Sequence, residues 1–227
     1  PFVEMLKVRL PYIVSGGTAI INPLDNKVIY KVILSDEQIQ ALVALGLKSG
    51  SDLLFHTPQS IYALCSDTFW QNVCVQRWME WRGWKNVYRC NSHTDIKSVP
   101  IIHINFFNRE DLLPDLAGDV EKLQLDLNAF MVFSKLEITS QSASKGIALK
   151  YLANYLKIPI GQVLTIGDGM NDISMLSSSG VGVAVRNSPP ELIEVAGFLA
   201  PGNDEGGFAS AVDHLLFNSL DELKKLH

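Results

Sequence analysis

Residues 163–172 decide the fold, and they read Val163-Leu164-Thr165-Ile166-Gly167-Asp168-Gly169-Met170-Asn171-Asp172. The β-branched and apolar residues at the start of this stretch predict a buried strand. The glycines then permit a tight turn, and a helix is predicted to follow and to end at Gly180. Because sheets of this kind hold ligands at the carboxyl ends of their strands, the stretch predicts a functional site directly after its strand.

Two acids and an amide follow the predicted strand, namely Asp168, Asn171 and Asp172. Oxygen donors of this type suit a hard cation such as Mg²⁺. Alternatively, Asp168 caps the helix and Asp172 lies in its first turn, where the helix dipole favours an acid. This stretch alone leaves both interpretations open.

The remaining sequence predicts an α/β protein. After about Leu136, strands and helices alternate regularly, which is typical of a doubly wound, Rossmann-like parallel sheet. Between residues 31 and 136, strands at hairpin-like spacing and two helical stretches predict an α+β domain of antiparallel character. Near the start, a short strand leads into Ser15-Gly16-Gly17. That turn either presents backbone N–H groups to an anion or is an ordinary tight turn.

Lys145 breaks a local rule, because it begins a predicted helix and places a cation at the positive end of the helix dipole. Such a position is unfavourable by a few tenths of a kcal/mol up to about 1 kcal/mol. Residues that oppose the local preference often mark functional sites. Lys145 therefore either faces an anion near Asp168 and Asp172 or is a solvated surface lysine.

Local signals also predict individual contacts. Ser35 and Gln38 have the spacing of a capping box, and Ser188 is expected to cap a helix that begins with Pro189. His103 and Asn105 lie two residues apart in a predicted strand and alternate with apolar residues. His103 is therefore expected to face solvent or a cleft, where it is a candidate for a role in the choice of substrate.

Composition excludes several classes of partner. The net charge is −5 and no run of Lys or Arg occurs, so nucleic acid and anionic membrane surfaces are not expected partners. No apolar run is long enough to span a bilayer. The cysteines Cys65, Cys74 and Cys90 are odd in number and lack metal-ligand spacing, which predicts a reducing, cytoplasmic location.

The motifs together resemble a known family. Ser144-Lys145-Gly146-Ile147-Ala148-Leu149 resembles the third motif of the haloacid dehalogenase-like hydrolases, and residues 167–172 resemble the fourth. Residues 182–188 and 203–207 are similar to later segments of the Cof-type, sugar-phosphatase branch. The resemblance implies a core formed by residues 1–30 and 137–227, with an inserted α/β cap at 31–136 that selects the substrate.

The resemblance also implies the chemistry, which is Mg²⁺-dependent hydrolysis of a small phosphorylated metabolite, such as a sugar phosphate, through an aspartyl-phosphate. Lys145 would stabilise the phosphate and the nucleophile. Asp168 would bind Mg²⁺ directly, and Asp172 would be a second ligand, directly or through water, that also orients Lys145. The residues implied in binding the phosphate or substrate are Lys145, Asn171, Asn187, Ser15, Gly16 and Gly17.

One part of the family pattern is missing. The first motif, Asp-x-Asp-Gly-Thr, supplies the nucleophile, and no Asp-x-Asp occurs in these 227 residues. We therefore expect the nucleophile to lie N-terminal to Pro1 and this chain alone to be inactive. A non-catalytic member that binds a sugar phosphate and a sugar phosphomutase are the alternative functions.

Overall fold

The computed structural model describes residues 5, 7–72, 86–96, 98–132, 134–217 and 224–225. The chain divides into two compact units, Pro1–Ala143 and Ser144–His227. The limits of the core and cap at residues 30 and 136 stay a prediction. None of the helices that the structure describes has the length and apolar character needed to cross a bilayer.

The first unit begins with a small antiparallel sheet. Its strands, in spatial order, are β1 (Tyr12–Val14), β2 (Ala19–Ile21) and β3 (Val28–Lys31). The turn between β1 and β2 is Ser15–Gly17, as predicted. Strand β2 is buried along its whole length, which fits its apolar sequence.

A six-stranded sheet forms most of the first unit. Its strands are β4 (Asp52–His56), β5 (Ile61–Leu64), β6 (Val87–Arg89), β7 (His103–Phe107), β8 (Leu127–Val132) and β9 (Lys135–Ser140). Their spatial order is β6-β5-β4-β7-β9-β8, and all neighbours are antiparallel except β5 and β6. The predicted antiparallel character of this region is confirmed.

Strand β9 corrects one detail of the sequence analysis. The parallel part of the chain is predicted to begin at about Leu136, with a strand at residues 136–139, but β9 pairs antiparallel with both β7 and β8. The two-residue alternation of polar and apolar side chains in β9 occurs in parallel and antiparallel strands alike. The pairing partner decides the direction, and it lies far away in the sequence.

Helices cover one face of the six-stranded sheet. They are α1 (Asp36–Ser49) and α3 (Leu113–Lys122), whereas the short α2 (Asp67–Gln71) packs in a separate apolar cluster with Leu54 and Ala63 of the sheet. Leu42 of α1 and Leu116 of α3 share one apolar core with Phe55 and Phe106 of the sheet. One of the two predicted helical stretches spans about Asp67 to Arg82, and its part from residue 73 onward lies outside the described part of the chain.

The predicted capping box at the start of α1 is confirmed. The hydroxyl of Ser35 accepts a hydrogen bond from the backbone N–H of Gln38 at 3.1 Å, and the Gln38 side chain accepts one from the N–H of Ser35 at 2.9 Å. This reciprocal pair satisfies two backbone N–H groups that the helix itself leaves unbonded.

The second unit is the parallel part. Strands β10 (Leu164–Gly167), β11 (Val181–Val185), β12 (Phe198–Ala200) and β13 (Lys224–Lys225) lie side by side in that order. The first three are mutually parallel, and β13 is antiparallel to β12. The helices are α4 (Lys145–Tyr155), α5 (Ile173–Leu176), α6 (Pro190–Val195) and α7 (Gly207–Leu216).

Helices pack on both faces of this sheet. Ala184 of β11 packs with Leu176 of α5 and Leu192 of α6. Its sequence neighbours Val183 and Val185 point to the opposite face and pack with Ala211 of α7. Successive residues of a strand face opposite sides, so a buried strand such as β11 is apolar throughout. The doubly wound α/β fold predicted from the sequence is confirmed.

Two local predictions in this unit are wrong. Helix α5 ends at Leu176, before the predicted stop at Gly180. Ser188 does not cap α6, whose flanking residue is Pro189 and which has no side-chain cap. The Ser188 hydroxyl donates instead to the carbonyl oxygen of Gly167, at 3.5 Å. A buried carbonyl on the neighbouring strand competes with the helix for this hydroxyl, and only the folded sheet brings it close.

Candidate active site

Asp168 and Asp172 lie at the carboxyl end of β10, as the sequence predicted, but their surroundings differ. Asp168 is exposed directly after the strand, whereas Asp172 is 4% exposed at the end of a 3₁₀ turn formed by Met170–Asp172. A buried carboxylate requires several hydrogen-bond or ionic partners to offset its lost hydration. Asp168 therefore has the accessible carboxylate, and Asp172 needs partners within the protein.

Both carboxylate oxygens of Asp172 have such partners. Oδ2 accepts hydrogen bonds from the backbone N–H groups of Asp168 and Gly169, at 3.2 and 3.1 Å. Oδ1 lies 2.5 Å from Nζ of Lys145. A Cβ at Gly167 would lie 2.6 Å from Cβ of Asp172, so only glycine fits there. Among the described residues, Asp172 thus accepts the hydrogen bonds from the backbone N–H groups of the turn. Asp168 does not act as a helix cap there.

Lys145 lies at the first position of α4. Its side chain points at the turn after β10 that carries Asp168, Asn171 and Asp172, and this group of residues is called the corner below. Nζ of Lys145 contacts the Asp172 carboxylate and lies 3.3 Å from Oδ1 of Asn171. The side chain is 27% exposed, so the ammonium group is paired but still reaches solvent. The ion pair explains why a cation is tolerated at the positive end of the helix dipole. The interpretation of Lys145 as a purely solvated surface lysine is not supported.

Gly146 allows the helix that carries Lys145 to lie close to α5. A Cβ at this position would lie 2.1 Å from the carbonyl oxygen of Ser174, a backbone atom that has no room to move aside. The N–H of Gly146 also donates to the Ser174 hydroxyl at 3.1 Å. Glycine at this position lowers helix propensity by about 1 kcal/mol, but it allows the close approach that brings Lys145 to Asp172.

The Asp168 carboxylate has a contact that the sequence did not predict. Nδ2 of Asn203, in the loop after β12, donates to Oδ2 of Asp168 at 3.3 Å. Asn187, in the loop after β11, donates in turn to Oδ1 of Asn203 at 2.8 Å. Asn203 was part of the resemblance but had no assigned role. The available signal was its position after β12, a strand of the same parallel sheet as β10 that lies next to β11.

The donor atoms of this corner fit a hard divalent cation. Asp168 offers an exposed carboxylate oxygen, since only its Oδ2 is engaged by Asn203 within the described residues. Mg²⁺ is commonly held by one or two carboxylates and keeps several waters or phosphate oxygens. Among the described residues no group of three His, Cys, Asp or Glu side chains forms a metal site. A soft-metal or structural-zinc site is thus not supported there, whereas a partly hydrated Mg²⁺ is compatible.

The predicted phosphate contacts at the Ser15–Gly17 turn lie in the first unit. These three residues have φ values of 51°, 66° and 97°, and Gly16 lies against the first unit's Glu137, whose Oε1 would be 3.5 Å from an added Cβ. A carboxylate beside the turn is unfavourable for a second anion at the same point. The assignment of Ser15, Gly16 and Gly17 to phosphate binding stays a prediction.

The first unit also contains a buried polar cluster that the sequence did not predict, formed by His56, His103, Asn105, Lys135 and Glu137. The two imidazoles stack with centroids 3.9 Å apart. Lys135 Nζ donates to Glu137 at 2.8 Å and to Asn105 at 3.0 Å, and the Asn105 amide donates to Nε2 of His56 at 2.9 Å. The expectation that His103 faces solvent or a cleft is wrong, because it is 3% exposed.

His103 is expected to make the stability of the first unit depend on pH. Burial lowers its pKa from 6.5 to about 4, with Glu137 opposing and Lys135 adding to the shift. The unfolded chain therefore binds the proton first, and stability is complete above pH 6.5 and falls as the pH decreases toward 4. By pH 5 the loss due to His103 is about 2 kcal/mol.

Urea titrations between pH 7.5 and 5 measure this loss. All four tryptophans of the chain precede Ala143, so their fluorescence reports on the first unit. His103→Gln should flatten the pH dependence, since glutamine has no proton to gain. His93→Gln, at a partly exposed histidine, serves as the control and should keep the wild-type slope. Equal slopes for the two variants would contradict the prediction.

Comparisons with known proteins agree with this architecture. A family model described as haloacid dehalogenase-like hydrolase matches residues 1–212. YxeH of Bacillus subtilis is 26% identical over 209 residues, which are 88% of this chain and 74% of YxeH. The B. subtilis 5-amino-6-(5-phospho-D-ribitylamino)uracil phosphatase YwtE is 33% identical over 133 residues, covering 53% of this chain and 46% of YwtE. The structure of a haloacid dehalogenase-like hydrolase from B. subtilis aligns with a TM-score of 0.77 at 22% identity, covering 94% of this chain and 82% of that one.

Proposed function

Because the chain belongs to the haloacid dehalogenase-like hydrolases, we propose that it forms the lysine and metal-binding part of a Mg²⁺-dependent phosphatase for small phosphomonoesters. One observation carries the proposal, namely the Lys145–Asp172 ion pair beside the exposed carboxylate of Asp168 at the end of a parallel strand. This arrangement places one cation and one available anion next to each other, as a phosphate with a bound metal requires.

Lys145 is proposed to contact the phosphoryl oxygens. Its ammonium group is held by Asp172 and Asn171, so it is oriented before the substrate arrives. A fixed cation of this kind lowers the energy of the negative charge on the oxygens of the transferring group, without reorganisation of the site. Asp172 acts mainly through Lys145 and the turn, since its Oδ1 already accepts from Lys145 and its Oδ2 from two backbone N–H groups.

Asp168 is proposed to hold Mg²⁺, with Asp172 and Asn171 nearby as further oxygen donors. Bound Mg²⁺ supplies charge neutralisation and alignment of the phosphate oxygens. The proposed aspartyl-phosphate route requires an aspartate nucleophile, and the Asp-x-Asp pattern expected to supply it does not occur in these 227 residues.

The proposed substrates are small phosphorylated metabolites, such as sugar phosphates. The family resemblance supports this class. The relative YwtE is named for a phosphorylated ribityl compound, which belongs to the same chemical class. Residues 31–136 are proposed as the cap that selects among such substrates.

The test compares the 227-residue chain with the same chain extended by the codons that precede Pro1 in its gene. The extended protein should release phosphate from p-nitrophenyl phosphate with Mg²⁺ and lose this activity with EDTA. Asp168→Asn should lower kcat/KM by more than about 100-fold, the upper end for groups that merely support a metal ligand. Asp213→Asn, at an exposed acid of α7, is the control and should leave kcat/KM unchanged.

Three other outcomes of this experiment would contradict the proposed phosphatase function. Hydrolysis by the extended protein that survives both EDTA and Asp168→Asn would overturn the proposal. Conversion of a sugar phosphate into an isomer, without free phosphate, would favour the phosphomutase. Absence of turnover together with binding of a sugar phosphate would favour the non-catalytic alternative.

A further inference from the structure

Side chains connect the loops that follow three adjacent parallel strands. Asp168 follows β10, Asn187 follows β11 and Asn203 follows β12. Hydrogen bonds run from Asn187 to Asn203 at 2.8 Å and from Asn203 to Asp168 at 3.3 Å. All three residues are exposed, so burial does not explain why they are arranged in this order.

The direction of the Asn203 amide follows from its other contacts. Its Oδ1 accepts from Asn187, and its backbone N–H donates to Oδ1 of Asn187 at 3.3 Å. An amide oxygen that already accepts a hydrogen bond on one side leaves the NH₂ group for the other side. The Asn203 NH₂ is thereby directed at the carboxylate of Asp168, and an amide can only donate to a carboxylate.

A second pair of contacts fixes the loop that carries Asn203. Nη1 of Arg186 lies 3.2 Å from Oε2 of Glu205, and the same oxygen accepts from the N–H of Gly202 at 2.9 Å. A Cβ at Gly202 would lie 2.8 Å from Oδ1 of Asp204 and 3.4 Å from Oδ1 of Asn187. The loop after β12 therefore contacts the loop after β11 at two points, Arg186 with Glu205 and Asn187 with Asn203. These contacts fix the position of the Asn203 backbone.

We propose that Asn203 is a positioning residue for Asp168 and that Asn187 acts through Asn203 rather than as a direct phosphate contact. Asn203 engages Oδ2 of Asp168 and leaves Oδ1 as the oxygen available to a divalent cation. An exposed aspartate otherwise samples several rotamers, and a cation must restrict them when it binds. The inference rests on the proposed function only in that Asp168 is the metal ligand.

The test uses Mn²⁺ as a paramagnetic probe on the ¹⁵N-labelled 227-residue chain, without any activity assay. In the wild type, Mn²⁺ should broaden the amide signals of Asp168 and Gly169, and excess Mg²⁺ should restore them. Asn203→Ala should weaken this Mn²⁺ binding by about 10-fold, the lower end for residues that orient a metal ligand, because the contact is exposed. Asn154→Ala, on the exposed side of α4, is the matched control and should bind like the wild type.

Asn187→Ala separates positioning from a general loss of structure. It should weaken Mn²⁺ binding by a smaller factor, and adding it to Asn203→Ala should cause no further loss, because both act on the same hydrogen bond. An unchanged amide shift of Asp172 in each variant shows that the Lys145 corner is intact. Full additivity of the two variants would contradict the role given to Asn187.

The two proposals fail in different ways. If Mn²⁺ leaves Asp168 and Gly169 unbroadened in the wild type, the metal site of the proposed function is overturned, and the role of Asn203 falls with it. If the wild type binds Mn²⁺ and Asn203→Ala binds it equally well, only the positioning role is overturned.

Discussion

Replacing Asp172 with alanine is expected to lower the free energy of unfolding of the second unit by about 3 kcal/mol. The side chain is 6% exposed and accepts hydrogen bonds from two backbone N–H groups and from Lys145. Alanine leaves those N–H groups without their acceptor in a turn that has little room for water. The value lies at the lower end for a broken buried ion pair, because Lys145 is partly exposed and turns to solvent.

Native-state hydrogen exchange measures this decrease in the free energy of unfolding within the second unit itself. The amides of β11 lie in the centre of the parallel sheet, and their exchange gives the free energy of opening of that region. Tryptophan fluorescence does not serve here, since the second unit contains no tryptophan. Asp213→Ala, at an exposed acid of α7, is the control and should change stability by less than about 0.5 kcal/mol. Equal protection in the two variants would contradict the structural role of Asp172.

Further variants divide the effect between charge and shape. Lys145→Met leaves Asp172 with its two backbone donors, so it should destabilise less than Asp172→Ala. Asp172→Asn keeps the shape but loses the charge, and one of its two terminal groups becomes a donor that faces other donors. The double variant Asp172→Asn with Lys145→Met should be more stable than the sum of the single changes predicts, because neither variant then leaves the other partner charged.

The sequence predicted this corner because its determinants are local or topological. The apolar residues of β10 predict a strand, and a strand in a parallel sheet presents the next residues at a known edge. Lys145 stood out because it opposed the helix dipole, and the structure supplies Asp172 as its partner. The capping box of Ser35 and Gln38 was equally predictable, since all its atoms lie within one turn.

The parts that the sequence did not predict depend on contacts between distant residues. Asn203 reaches Asp168 across a separation of 35 residues, and only the order of β10, β11 and β12 brings them together. Ser188 was given a local role as a cap, but its hydroxyl donates to Gly167 on the next strand. His103 alternates with apolar residues in β7, and this pattern does not reveal whether its face of the sheet is covered.

Replacing Lys135 with methionine is expected to destabilise the first unit by about 3 kcal/mol. The lysine and Glu137 side chains are 10% and 17% exposed, and Nζ lies 2.8 Å from Oε2. Methionine matches the length of the lysine but removes the cation from a site where water is largely excluded. The Glu137 carboxylate then keeps its burial without that neighbouring charge, and Oδ1 of Asn105 loses a donor.

An exposed ion pair in the same unit provides the matched control. Lys122 lies 2.7 Å from Asp119 on α3, and the two side chains are 76% and 41% exposed. Lys122→Met should change the unfolding free energy by less than about 1 kcal/mol, because water screens such pairs and replaces the lost contact. Urea unfolding followed by tryptophan fluorescence compares the two variants directly, since both lie in the unit that contains the tryptophans.

The double replacement of Lys135 by methionine and Glu137 by leucine decides what the buried pair contributes. An ion pair of this kind loses hydration on both partners, and apolar residues of similar size often restore or exceed the original stability. We therefore expect the double variant to recover most of the 3 kcal/mol that Lys135→Met loses. Recovery would mean that the pair is not needed for the stability of the six-stranded sheet, which leaves orientation of the Asn105 and His56 side chains as its effect. A double variant as unstable as Lys135→Met would instead show that the Glu137 carboxylate contributes to stability through contacts other than the one with Lys135.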